Sequence, residues 1–325
     1  MKIAIMTDVN AGLDYIGYDS GIACLRSSVN FLNEVLVDGI DIKADEFYER
    51  IKNITDPKDI PSTSAPAIGD IMDTIEKFIE EGYTDIIHFP ISFKLSSTGS
   101  NVVSVAEEYK DKINVHVVDT KVACYLQGYL AVNAKQMVEQ GATVEEILKR
   151  SEELINNMQA YFVVEDLNYL VKNGRLSGMA GFMGSLLKIK PVLELDKEGR
   201  IVTKEKVRTY SKALERAIEL SNSDKVIVVY DRGTIDNTAY IKKEEFEEFL
   251  NGKTIEEKNF GIFSGSKIVV YSCITGNYDN LREIDKKENQ FLIDLSNIFT
   301  LFASNSLISF ATYSASRIFA SLSSS

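Results

Sequence analysis

TDIIHFPISFKLSSTGSN, residues 84–101, decides the fold. Its first seven residues, 84–90, form an apolar run that fits one buried strand. The next eleven, ISFKLSSTGSN at 91–101, include seven Ser, Thr, Gly or Asn residues. A turn needs one or two of these, so the excess points to a helix start that must be capped, a surface that holds something polar, or both. A helical pattern, NVVSVAEEYKDK, runs on from it at 101–112. Buried strand, polar loop, helix is the repeating unit of a parallel sheet with helices on both faces.

The flanking sequence repeats that unit. On the N-terminal side, KIAIMTD (2–8) reads as a buried strand, GIACLRSSVNF (21–31) as a second strand and ADEFYERIKNI (44–54) as a helix. DPKDIPSTSAPAIGD (56–70) is a breaker-rich loop with three of the five prolines. A helix follows over 69–82, with Ile71, Ile75 and Phe78 on one face and Gly82 as its stop. On the C-terminal side come a strand in NVHVVDT (114–120), a helix over 126–141, and a further helix opened by Thr143 with Glu146 three residues on, a capping-box pattern.

Beyond residue 158 the pattern changes. AYFVVED (160–166) reads as a strand and LNYLVKNGRLSG (167–178) as a short helix broken at Gly174. GFMGSLLKIKPVLELDKEGRIVTKEKVR (181–208) reads as a helix and then a hairpin turning at KEGR. SKALERAIELSN is a helix and KVIVVYD a strand. The expected architecture is α/β in two domains: a parallel-sheet domain over 1–158, a smaller α/β domain over 159–290, and an atypical tail over 291–325. From Asn297 to the end the chain has nine serines and a single charged residue, Arg317. That stretch is too polar for a membrane span and keeps no clean period.

Composition narrows the function classes. The chain has 325 residues, 48 acidic against 36 basic, and a net charge of −12. That balance argues against nonspecific binding to nucleic acid or to an anionic membrane. Cys24, Cys124 and Cys273 are widely separated and lack metal-ligand spacing, which fits a reducing compartment, and the N-terminal MKIAIMTD has no signal-peptide pattern. The expected location is the cytoplasm. No cofactor motif is present: there is no GxGxxG after the first strand and no GxxxxGK[ST].

Two hydroxyl-rich loops are the candidate site: STSAP at 62–66, with Thr63 and Ser64, and 91–101, with Ser96, Ser97 and Thr98. Each precedes a helix, and loops at the carboxyl ends of parallel strands form the ligand crevice of such sheets. Hydroxyls and backbone N–H groups at helix starts suit an anion, although Ser and Thr are also ordinary caps. Arg175, beside the breaker Gly174, could pair with a carboxylate or face solvent. Asp8, at the end of the first strand, is either an orienting acid or a turn cap. His88 and His116 read as satisfied core histidines. On these residues alone the reading stops at a small anionic ligand in an α/β crevice.

Taken in order, STSAP, ISFKLSSTGSN, VVDT, VVEDLNYLVKNGRLSG and GSLLKIKPVLEL followed by GRI and EKVRT resemble the DegV family of bacterial fatty-acid-binding proteins, from Met1 to about Tyr230. The resemblance implies a long-chain fatty acid held between two α/β domains, its tail in an apolar tunnel. It implies a carrier and not an enzyme, which presents the acid to a dihydroxyacetone-kinase-like fatty acid kinase that feeds phospholipid synthesis. It places the carboxylate on Thr63 and Ser96, with Arg175 nearby. The chain departs from the family pattern in reading TDVN for TDS, TSAPA for TSQPS and SFKLSST for SSKLSGT, and in lacking a GTHxGPG-like motif. In its place KIVVYSCITGNYDNL (267–281) is similar to the opening of a family of predicted glycosyltransferases. The alternative expectation is a degenerate or fused family member with a glycosyltransferase-like C-terminal fragment.

Overall fold

The computed structural model describes residues 2–15, 21–52, 54, 56–164, 167–176, 189–220, 226–231, 255–257 and 267–273. The helix expected at the start of 181–208, the segment 274–281 and the tail 291–325 lie wholly or almost wholly outside them.

The first sheet is parallel throughout. It contains β1 (Ile3–Asp8), β2 (Ala23–Leu25), β6 (Asp85–Phe89) and β7 (Asn114–Val117) in the order β2-β1-β6-β7. Every residue of β1 and β6 is buried, as near-continuous apolar strands covered on both faces must be. On one face Ala4, Met6 and Ile86 pack with Ile71 and Ile75 of α2 (Ile68–Glu80) and Val102 and Val105 of α3 (Thr98–Ala106). On the other lies α4 (Tyr125–Glu139), whose Gln127 reaches the strands, with α5 (Val144–Asn157) behind it. The capping box at Thr143 forms: its Oγ1 accepts from the Glu146 amide at 3.3 Å, and Glu146 Oε2 accepts from the Thr143 amide at 2.9 Å.

The stretch 21–31 is two strands, not one. After β2 the chain turns at Arg26, whose guanidinium forks onto the Asp14 carboxylate, and at Ser27, whose carbonyl accepts from the Asp38 amide at 2.9 Å. It then enters a separate antiparallel sheet: β3 (Ser28–Phe31) between β4 (Glu34–Val37) and β5 (Ser62–Ser64). STSAP therefore is not all loop. Its first three residues are an exposed edge strand whose register sets Thr63 opposite Val29. Two faces without a buried stripe gave the sequence no period to read. α1 (Ala44–Lys52) occupies the place expected for it.

Among the described residues the second sheet has six strands: β8 (Met158–Val163), β9 (Val192–Leu195), β10 (Ile201–Glu205), β11 (Val226–Asp231), β12 (Ile255–Glu257) and β13 (Lys267–Cys273). Their order is β10-β9-β8-β13-β11-β12, antiparallel except for β11 with β12. The expected hairpin is β9–β10, with the Asp196 amide donating to Arg200 O at 2.9 Å across its turn. The KIVVYSC stretch that resembled a glycosyltransferase opening is an inner strand here, between β8 and β11. α6 (Asn168–Lys172) is the short helix expected before Gly174, and α7 (Tyr210–Leu220) buries Ala213 and Ala217 in the second half.

Candidate functional site: two hydroxyl loops bridged by one helix turn

The loop after β6 is gripped at four successive residues. The Pro90 carbonyl accepts from Thr120 Oγ1 at 2.6 Å, and the Ile91 amide donates to Asp8 Oδ2 at 2.9 Å. The Ser92 amide donates to Val122 O at 2.9 Å, and the Phe93 amide to Asp119 Oδ1 at 3.2 Å. Asp8 also accepts from the Asn10 amide at 3.0 Å, so it is a turn cap and a loop anchor at once. It is fully buried, and burial holds its carboxyl pKa above the ordinary value, against the pull of the Gln127 side chain and of the Ile91 and Asn10 amides. Beneath the loop, Gln127 Nε2 donates to Thr7 Oγ1 at 3.0 Å and to Phe89 O at 3.1 Å. A loop held this way presents residues 95–98 from a rigid base.

Much of the small-residue excess is thereby explained. Ser96 Oγ accepts from the Thr98 amide at 3.2 Å and lies 2.9 Å from Thr98 Oγ1, so these two hydroxyls start α3 together. Thr98 is fully buried, whereas Ser97 is exposed. Ser100 Oγ donates to Ser97 O at 2.9 Å. Ser92 Oγ leaves the loop and donates to Gly199 O in the β9–β10 turn at 2.9 Å. Phe93, where the DegV pattern has Ser, lays its ring on Gly99 so closely that a Cβ there would sit 2.0 Å from it.

The other loop lies at the same edge of the first sheet. α2 delivers the chain to the start of β6, so its own start, just after STSAP, lies toward the strands' carboxyl ends, where α3 also begins. Thr63 and Ser64 are exposed on β5, and Ser64 Oγ accepts from Asn30 Nδ2 at 2.8 Å. Among the described residues the Thr63 hydroxyl has no recorded partner.

Arg175 is not a solvated arginine. It is half-buried, its Nε donates to Leu95 O at 3.2 Å and its Nη1 to Asn173 O at 2.9 Å. The turn that aims it is a Schellman motif: the Arg175 amide donates to Leu170 O, the Gly174 amide to Val171 O, and Gly174 takes φ +69°. Lys172, three residues earlier and not singled out in the sequence, donates to Lys58 O and Ile60 O, both at 2.6 Å. One helix turn thus touches the approach to Thr63 and the residue before Ser96.

Both histidine expectations need correction in part. His88 is in the core, but among the described residues neither ring nitrogen has a hydrogen-bond partner, and burial pushes its pKa down to about 3 against an opposing pull from the Met6 backbone. His116 has a partner, with Nε2 3.2 Å from Asp85 Oδ1, but is only half-buried. Among the described residues no group of three or more His, Cys, Asp or Glu side chains could hold a metal ion, and no helix is long and apolar enough to cross a membrane.

The family model described as "Uncharacterised protein, DegV family" matches residues 2–269. The chain belongs to the DegV family. A DegV domain-containing protein of Streptococcus pyogenes serotype M3 is 33% identical over 266 residues, covering 80% of this chain and 93% of its own. Protein DegV of Bacillus subtilis is 34% identical over 226 residues, covering 69% of this chain and 78% of its own. Among solved structures, DegV from Bacillus subtilis, described as a fatty acid binding protein, superposes with a TM-score of 0.70 at 29% identity, covering 85% of this chain and 100% of its own. A fatty-acid-binding DegV family protein from Thermus thermophilus gives 0.69 at 25% identity, covering 84% of this chain and 100% of its own. The α/β architecture and the parallel sheet are those of the DegV fold.

Proposed function

We propose that this chain binds a long-chain fatty acid and acts as a carrier, not a catalyst. Residues 1–158 supply the headgroup loops and residues 159–290 complete the acyl tunnel. The carboxylate lies on Thr63 and Ser96, with Ser64, Ser97 and Thr98 beside them and Arg175 closing the site. The observation that carries this reading is the half-buried Arg175, hydrogen-bonded to the residue before Ser96, in a fold whose relatives at 25–29% identity are described as fatty-acid-binding.

The physical division of labour supports it. Some fourteen buried methylenes at roughly 0.8 kcal/mol each supply on the order of 11 kcal/mol before the costs of association. A desolvated carboxylate left unpaired would cancel much of that, while each hydrogen bond to a charged group contributes about 1.5–3 kcal/mol. Small hydroxyls and an arginine fork provide those bonds and leave the carboxylate open to a second protein. That second protein is a dihydroxyacetone-kinase-like fatty acid kinase, which phosphorylates the carboxylate in the cytoplasm for phospholipid synthesis. For the alternative, a degenerate or fused family member with a glycosyltransferase-like C-terminal fragment, the first seven residues of that fragment form an inner strand of the second sheet and the rest lie outside the described residues.

Native mass spectrometry of protein purified without detergent tests the carrier. A mass increment matching a fatty acid, exchangeable for labelled palmitate or oleate, is expected. A protein that is empty and takes up neither acid overturns the reading.

A further inference from the structure

We infer that Lys172 is a positioning residue that sets the STSAP strand at its working distance from the Ser96 loop. The inference rests on the carboxylate site proposed above and adds a residue that does not touch the ligand. Two cations leave the α6 turn three residues apart. Lys172 reaches Lys58 O and Ile60 O, both 2.6 Å away, and Arg175 reaches Leu95 O at 3.2 Å. Ile60 lies three residues before Thr63, and Leu95 is next to Ser96. Lys172 leaves from the last residue of α6, and the αL turn at Gly174 sets the direction in which Arg175 leaves.

The two loops differ in how much else holds them. The Ser96 loop is anchored to the first sheet by Thr120, Asp8, Val122 and Asp119. The STSAP strand is an exposed edge whose ladder partner, β3, belongs to a small sheet apart from the parallel one. Its approach, 57–60, makes a short turn stabilised by Asp56, whose Oδ1 accepts from the Lys58 amide at 2.9 Å. The Lys58 and Ile60 carbonyls there both accept from Lys172, and one ammonium with three donors satisfies both. A charged donor on two carbonyls is stronger than a neutral pair and has direction enough to fix the strand's entry. Lys172 itself is exposed, so its loss leaves no buried charge or cavity.

Hydrogen exchange by mass spectrometry on the full chain, beside palmitate titration, decides the matter for Lys172→Met and Lys172→Arg. For Lys172→Met, exchange is expected to rise at least about tenfold in 57–66 and to stay at the parent value in 93–101 and in α4, with palmitate bound about tenfold more weakly. Lys172→Arg, which also offers several donors, should recover most of both effects. Unchanged exchange in 57–66, or an equal rise throughout the chain, overturns the positioning role. If the parent takes up no palmitate, the carrier reading fails while the exchange result still says whether Lys172 holds the strand.

Discussion

Ser92 Oγ donates to the carbonyl of Gly199 at 2.9 Å, joining the loop after β6 to a turn 107 residues later in the chain. Gly199 takes φ +80°, and a Cβ there would sit 2.1 Å from Ser92 Oγ and 2.8 Å from the Lys121 Cα. Two requirements for glycine coincide: a left-handed turn, and an approach of backbone to backbone that no side chain permits.

Gly199→Ala is therefore expected to destabilise the protein by at least about 1–3 kcal/mol, because neither the φ nor the Lys121 backbone can relax cheaply. Urea unfolding monitored by circular dichroism reads this directly. A midpoint equal to the parent's would show that the β9–β10 turn does not dock on Ser92.

Thr63→Ala and Ser96→Ala should each weaken fatty acid binding by about 1–3 kcal/mol, but with different side effects. Thr63 is exposed and its hydroxyl has no recorded partner among the described residues, so the Thr63 variant should unfold with the parent. Ser96 also accepts the Thr98 amide at the start of α3, so its variant should lose about 1 kcal/mol of stability as well. Calorimetric titration with palmitate and denaturant midpoints separate the two. Parent-like affinity in both variants would mean that the carboxylate lies elsewhere.

His88 makes the fold acid-sensitive. Its folded pKa, about 3, lies below the ordinary 6.5, so the unfolded chain binds the proton more readily. The stability that neutral His88 allows is fully present above pH 6.5 and falls as pH drops toward 3, by up to about 1.4 kcal/mol per pH unit. His88→Leu should flatten that part of the stability–pH curve. Parallel curves for parent and variant between pH 6.5 and 4 would place the imidazole in a wetter or better-bonded setting.

Deleting residues 291–325 should leave fatty acid uptake intact and improve solubility. The family match ends at residue 269, and 297–325 carries one charge among many Phe, Ile and Ser residues. Light scattering and palmitate binding on the truncated chain check this, and loss of the ligand would make the segment part of the working protein.

The sequence revealed elements wherever a buried stripe imposed a period. β1, β6, α2 and the capped start of α5 were legible because their apolar faces or caps repeat at the spacing the backbone demands. β5 was read as loop because all three of its residues are exposed. The break between β2 and β3 was missed because Arg26 and Ser27 turn the chain through partners far along it, Asp14 and Asp38, and no local signal marks such a turn. Among site residues, Arg175 stood out by its glycine. Lys172 did not, because a lysine on a short helix resembles any solvated lysine until the carbonyls in front of it are seen. His88 lies in the core as expected, and only the expectation of a satisfied ring fails, because it assumed that a buried imidazole finds a partner.

The strand order of the second sheet fixes when that sheet can first close. Among the described residues all strands of the parallel sheet lie within residues 3–117, so that layer can fold while later residues are still being synthesised. The second sheet cannot close in the same way, because β8, begun at Met158, has β13 as a neighbour, and β13 ends only at Cys273. A nascent chain stalled before that point holds both hydroxyl loops but lacks the inner strand of the half that carries Arg175. On the proposed function, lipid loading thus waits until residue 273 has been made, and a shorter nascent chain withdraws no fatty acid from the pool.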